Sequence, residues 1–357
     1  MKIHNFSAGP CILPQEVFEK AGQAVLNLDN SGLSILEISH RSDAFIAILE
    51  EAKALVLELM NLENQGYEVL FLQGGASMEF LRVPYNLLAQ NQKAVYLDSG
   101  LWASNAIKEA KSFGEVEIIA SSKDENYNFI PKNYKIPEDA AYFHCTSNNT
   151  IYGTQMKNFP ETNVPVVCDM SSDIFSKAID YSYFDLIYAG AQKNMGPAGV
   201  TLIVIKKDIL GKSGREIPSI LDYQKHIDAK SMFNTPNVFA IYTSLLNLRW
   251  LKESGGISKI QEKNEAKANL LYTEIDRNPL FEGTANAQDR SMMNATFLLK
   301  ESRLTNKFAQ ICESKGISGI IGHRTVGGYR ASLYNALPLE SVHFLVNAMQ
   351  ELEKYKN

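Results

Sequence analysis

Seven short apolar runs rich in β-formers, at residues 68–72, 93–97, 115–120, 141–145, 164–168, 186–189 and 200–205, constrain the fold more than any other feature of the chain. Helical patterns at 77–88 and 103–113 separate several of them, and two longer amphipathic stretches, 15–28 and 42–60, come first. Strands alternating with helices predict an α/β fold, a mostly parallel sheet covered on both faces. Past residue 257 the order changes to a polar helix (258–276), a strand-like stretch (291–299), a helix (304–315), a second strand-like segment around 330–334 and a closing helix (340–355). That is an α+β order, so a large domain over 15–257 and a smaller one over 258–357 are expected. A chain of 357 residues is long for a single core. No repeat or Gly/Ser linker interrupts it, and a cleft between directly packed lobes is the expected ligand site.

Lys plus Arg number 35 against 40 Asp plus Glu, a net charge of −5 that offers no bulk attraction to nucleic acid or an anionic membrane surface. No apolar run approaches the roughly 18 residues of a membrane helix, and residues 1–14 lack the apolar stretch of a signal peptide. Cys11, Cys145, Cys168 and Cys312 have neither metal-ligand spacing nor a disulfide framework. A cytoplasmic protein without a metal site is expected.

The chemistry concentrates in Tyr188-Ala-Gly-Ala-Gln-Lys-Asn-Met-Gly-Pro-Ala-Gly-Val200, where a strand-like run ends at Lys193 among small residues. Glycine and alanine allow close backbone approach to a flat or phosphorylated ligand, and a desolvated amine can form a Schiff base with a carbonyl. The plainer alternative is a lysine in a tight turn. Upstream, Val164-Pro-Val-Val-Cys168 ends in Asp169, a carboxylate at a strand tip, where open α/β sheets bind ligands. There it could hold a protonated pyridine nitrogen and keep a pyridoxal ring acting as an electron sink; alone, it could equally cap a helix. Together Asp169 and Lys193 favour the cofactor reading. Phe71-Leu-Gln-Gly-Gly-Ala-Ser-Met would offer a phosphate the backbone N–H groups and the Ser77 hydroxyl at a helix start. Trp102 could stack on the ring or simply belong to the core. Thr150, in a polar loop beyond a strand tip, could bond the ring hydroxyl or serve the turn.

With these residues in view, the chain closely resembles the phosphoserine aminotransferases, class V aminotransferases of pyridoxal-phosphate fold type I. The likeness is carried by Asn5-Phe-Ser-Ala-Gly-Pro10, Ile38-Ser-His-Arg-Ser42, Tyr188 to Val200, Met232-Phe-Asn-Thr-Pro236 and Gly322-His-Arg-Thr-Val-Gly-Gly-Tyr-Arg-Ala-Ser-Leu-Tyr-Asn-Ala336, from end to end. It implies pyridoxal 5'-phosphate as cofactor and Lys193 as the Schiff-base lysine that shuttles the substrate Cα proton. Asp169 would hold the pyridine nitrogen, Trp102 would stack on the ring, and Thr150 would bond the ring oxygen. Ala76, Ser77 and Gln192 would bind the phosphate, joined by Asn234 and Thr235 of the neighbouring subunit of a homodimer with shared sites. Arg330 would clamp the α-carboxylate. His323 and Arg324, with His40 and Arg41 of the partner, would receive the second anionic group, the His-Arg pairs concentrating positive charge. The N-terminal arm 1–14 would join the small domain.

Some family members carry arginine where this chain has Ser77, so hydroxyl and backbone must suffice there. The implied reaction moves an amino group between glutamate and 3-phosphohydroxypyruvate in serine biosynthesis. The phosphorylated hydroxythreonine precursor of pyridoxine is a further substrate of this enzyme type. The alternatives are a serine– or alanine–glyoxylate aminotransferase and a non-catalytic pyridoxal-phosphate-binding protein. A dinucleotide enzyme is disfavoured because no GxGxxG follows the first strand.

Overall fold

The computed structural model describes residues 2–356. Its centre is a seven-stranded sheet built from β1 (Tyr67–Leu72), β2 (Lys93–Asp98), β3 (Glu115–Ser121), β4 (Tyr142–Thr146), β5 (Val166–Asp169), β6 (Leu186–Gly190) and β7 (Thr201–Lys206), in the order β1-β7-β6-β5-β4-β2-β3. Neighbours pair in parallel except that β7 runs antiparallel to both β6 and β1. The chain returns from β6 to β7 through residues 191–200 alone, too few for a crossover helix, so the strand must reverse. That turn carries Lys193.

Apolar side chains cover the sheet on both faces. Phe71, Val95, Phe143, Cys145, Cys168, Ile187 and Val204 face one core, and Leu70, Tyr96, Tyr142, Val167, Tyr188 and Ile203 face the other. The helices expected over 15–28 and 42–60 form as α1 (Gln15–Leu26) and α2 (Asp43–Met60); Ser42 accepts the Phe45 N–H at the start of α2 and Asn61 ends it in the left-handed region at φ 55°. The stretch expected over 77–88 forms as α3 (Ala76–Leu87).

One long helix, Val238–Glu253, has no counterpart in the sequence reading. Residues from Ala240 through Leu248 are all buried, so the helix lacks the single apolar stripe that periodicity detects.

The second lobe holds the helices Gly256–Arg277, Thr305–Ser314 and Leu339–Lys356 against an antiparallel sheet of β8 (Phe281–Gly283), β9 (Asn294–Leu299) and β10 (Tyr329–Ser332). Strand β9 starts later than expected because Ser291 Oγ accepts the N–H groups of Met293 and Asn294, both at 2.9 Å, and holds that stretch in a turn. The N-terminal arm joins this lobe. His4–Asn5 pairs in parallel with Ile317–Ser318, and Phe6 lies in the second core with Phe297, Phe308 and Leu345.

Candidate active site

The C-terminal ends of β1, β2, β4, β5 and β6 surround one cavity, as expected for an open α/β sheet. β1 leads to Gly75, Ala76 and Ser77 in its wall; β2 leads to Trp102; β4 and β5 end on Thr146 and Asp169; β6 leads into Gln192 and Lys193.

Lys193 Nζ donates to Ser172 Oγ at 2.7 Å and to Thr150 Oγ1 at 3.2 Å, and the two hydroxyls bond each other. Burial, reinforced by the charge of Arg330, holds the ammonium below the usual lysine range, while Asp169 and Asp173 oppose the shift. A greater share of the amine is therefore neutral and nucleophilic. The loop itself is locked from several sides. Asn194 accepts the Asn335 N–H at 3.0 Å and donates to Ser172 O at 3.3 Å, while its carbonyl takes Asn247 Nδ2 at 2.9 Å. The Cys11 thiol donates to the Lys193 carbonyl at 2.6 Å, bringing the N-terminal arm onto the lysine.

Asp169 is followed by turns rather than a helix, so helix capping is not its role. Its carboxylate accepts the Ser171 N–H at 2.9 Å. Burial pushes this carboxyl up, and the Lys193 charge draws it back. Beneath it His144 Nε2 pairs with Tyr188 OH at 2.9 Å, and burial pushes that imidazole down to about 3, so it is neutral.

The cavity suits a phosphorylated pyridine. Trp102 Nε1 and Thr146 Oγ1 are buried in its wall without a hydrogen-bond partner among the described residues. Helix α3 has Gly75 at its N-cap with no side-chain cap, and only the Met78 N–H of its first turn turns back, onto Gly75 O at 3.1 Å, so the Ala76 and Ser77 N–H groups stand at the cavity wall without a partner among the described residues. Gly74 at φ 117° and Gly75 at φ 67° turn the chain into that helix in conformations few side chains tolerate. Sequence reasoning missed Ser171, Ser172 and Thr146, although all three lie within three residues of the ends of the strands that carry Asp169 and lead to Thr150.

The cations divide into two groups. Arg330, on β10, is half-buried, its Nε has no partner among the described residues, and its charge depresses both Lys193 and His323. The Ile321–Tyr329 bridge closes the His323–Arg324 turn directly before it. Arg324 is exposed, and His323 shares a hydrogen bond with Thr325 at 2.8 Å. Burial, Arg330 and Arg324 all lower the His323 pKa, so this imidazole is a neutral hydrogen-bonding group. The charge expected from that His-Arg pair resides on its arginine alone. In the other group, His40 and Arg41 precede the helix Asp43–Met60 and do not line the cavity. Asn234 donates to the Gln73 side chain at 2.7 Å and Thr235 O accepts from it at 3.0 Å, both exposed outside the cavity of their own chain.

Residues 3–345 match the model of the class-V aminotransferases. The chain is 70% identical over 353 residues to a phosphoserine aminotransferase of Flavobacterium psychrophilum, covering 99% of each. A solved phosphoserine aminotransferase from Bacillus circulans subsp. alkalophilus superposes with a TM-score of 0.96 at 42% identity, over 100% of this chain and 99% of that one. Another, studied for radiation damage of its Schiff base, gives 0.96 at 43% identity, over 99% and 100%. A cavity with a lysine facing a carboxylate at the strand tips, and a family match spanning both lobes, lead to one statement: the chain belongs to the class-V aminotransferase family.

Proposed function

We propose that this chain is a pyridoxal-phosphate-dependent aminotransferase that passes an amino group between L-glutamate and 3-phosphohydroxypyruvate, giving 3-phospho-L-serine and 2-oxoglutarate. The observation that carries the reading is Lys193 and Asp169 lining one strand-tip cavity, with Arg330 close enough for its charge to act on the lysine. Kinship with the phosphoserine aminotransferases favours it over the glyoxylate-type alternative. When bound, the cofactor supplies a ring that accepts the electron pair left when the substrate Cα–H bond breaks.

The protein's own groups do the rest. Asp169, a buried carboxylate, keeps a proton on the pyridine nitrogen. Trp102 packs over the ring and excludes water. Thr150 and Ser172 hold Lys193 Nζ, and that amine would take the substrate Cα proton and deliver it two atoms away, on the far side of the transferred nitrogen. The uncapped start of α3, with Ala76, Ser77 and Gln192, seats the phosphate. Arg330 presents a guanidinium fork to the α-carboxylate. Arg324 and His323 meet the second anionic group, one by charge and the other by hydrogen bonding. Residues 15–257 serve as the cofactor lobe, and 258–357 with the arm 1–14 as the substrate lobe; Met1 and Asn357 lie outside the described residues. A cytoplasmic location suits four free thiols, and among the described residues no helix is long and apolar enough to cross a membrane.

The second anionic subsite is completed by a partner copy. Leu33, Leu36 and Phe233 are 49%, 64% and 43% exposed, and they flank the very pairs, His40–Arg41 and Asn234–Thr235, that stand outside their own chain's cavity. A homodimer would cover those apolar groups and deliver both pairs to the opposite site. Two measurements test these readings. The visible spectrum of the purified protein should change on adding phosphoserine but not plain serine; a spectrum indifferent to phosphoserine refutes the substrate assignment. Co-expression of the inactive variants Lys193→Ala and Arg41→Ala should restore activity, because one site of the mixed dimer is intact. No recovery refutes the shared site.

A further inference from the structure

Behind the phosphate loop lies a buried ion pair that the reaction does not explain. Glu79 and Arg82, one turn apart on α3, meet at 2.7 Å with side chains 0% and 4% exposed. Glu79 takes a second bond from Tyr223 OH at 2.5 Å, and Arg82 gives its other terminal nitrogen to the Gln73 carbonyl at 3.1 Å. Asn86 fastens Leu221 O and Tyr223 N, closing that segment over the pair. An apolar pair of similar volume would pack here at no desolvation cost, so stability alone does not account for the charges.

Gln73 is the residue between the end of β1 and the two glycines of the phosphate loop. A trans peptide is planar, with C=O and N–H pointing opposite ways. Holding the Gln73 carbonyl toward Arg82 therefore turns the Gly74 N–H away from the helix interior. Glycines at 74 and 75 would otherwise let that peptide rotate freely. The Gln73 side chain is meanwhile engaged by Asn234 and Thr235, so the residue is pinned from both sides.

We infer that Arg82, locked by Glu79, is the positioning residue of the phosphate loop: by fixing the Gln73 carbonyl it aims the N–H groups of Gly74 to Ser77 at the phosphate dianion. It acts on the cofactor's phosphate end only, since its own charge is neutralised by Glu79. The inference rests on the reading of that loop as the phosphate seat.

The test compares affinities of the cofactor-stripped full chain for pyridoxal 5'-phosphate and for pyridoxal, which lacks the phosphate, followed by visible absorbance. Two variants are needed. Arg82→Lys keeps a charge beside Glu79 but lacks the fork that reaches two acceptors at once. The double variant Glu79→Leu with Arg82→Met removes both charges and leaves neither unpaired. In both, affinity for pyridoxal 5'-phosphate should fall on the order of tenfold, the scale of one charge-assisted hydrogen bond, while affinity for pyridoxal stays unchanged. Equal losses for the two ligands, or no loss for either, overturn the inference. If the unmodified protein holds pyridoxal as tightly as its phosphate, the phosphate seat itself is misread and the inference falls with it.

Discussion

Lys267→Met should change how stability depends on pH. Lys267 is 1% exposed and donates to Leu333 O at 2.8 Å and Tyr334 O at 2.7 Å, carbonyls just past the strand that carries Arg330. Burial, then the like charge of Lys263, lowers its pKa from 10.5 to about 7, and Cys11, itself pushed up to about 12, does not titrate in this range. A neutral amine has two N–H groups, matching the two carbonyls. Because the folded pKa is below the unfolded one, the stability contributed by this group is complete above the unfolded value and is lost as pH falls toward about 7. At about 1.4 kcal/mol per unit, with half-protonation near the lower end, the folded state should gain about 2 kcal/mol between pH 7 and pH 9. Methionine has no proton to exchange. At pH 7 it sheds the burial penalty but leaves two carbonyls unpaired at about 1–3 kcal/mol each, so the variant's stability there should lie close to the parent's. Urea unfolding at fixed protein and cofactor concentration, run at both pH values, measures the difference with all other titrations cancelled. Parallel profiles would mean that Lys267 stays charged in the fold, which refutes the reasoning.

Other substitutions separate the roles at the site. Lys193→Ala should abolish both the Schiff-base absorption of the bound cofactor and transamination; retention of either removes the lysine from its place. Asp169→Ala should weaken cofactor retention and slow Cα proton removal sharply, as single-turnover mixing with glutamate would show by a delayed spectral change. Arg330→Lys should raise KM for both amino donors by about tenfold through loss of the bidentate clamp, with kcat less affected; an unchanged KM places the carboxylate elsewhere. Gly153→Ala combines a φ of 74° with a Cβ driven into Thr296 Oγ1 and to 3.0 Å from Asn294 O, so a loss of about 2 kcal/mol or more is expected in thermal unfolding.

What the sequence revealed was what is local along it. Each strand of the central sheet is an apolar run, and Lys193 and Asp169 stand at the ends of two of them, so both could be placed before any contact was known. The lowered pKa of His323 could not, because it comes first from burial of the turn and then from Arg330, which the Ile321–Tyr329 bridge folds back beside it. Glu79 and Arg82 were equally hidden: their spacing suits an exposed helical ion pair, and only Tyr223, brought from far along the chain, closes over them.

The reversed strand shows why such long-range terms govern the site. β7 pairs Thr201 with Gly190 on one side and with Leu72 on the other. The lysine turn ends at Val200 and the proposed phosphate loop begins at Gln73, so the two proposed anchors of the cofactor extend from the one rung that joins Gly190, Thr201 and Leu72. Strand register is set in steps of one residue, each of which exchanges the two faces of the sheet. The spacing between Lys193 and the start of α3 is therefore fixed by the buried pairing of β1, β7 and β6. A substitution that loosens that pairing should weaken the holding of ring and phosphate together, whereas one at Arg82 should weaken the phosphate alone.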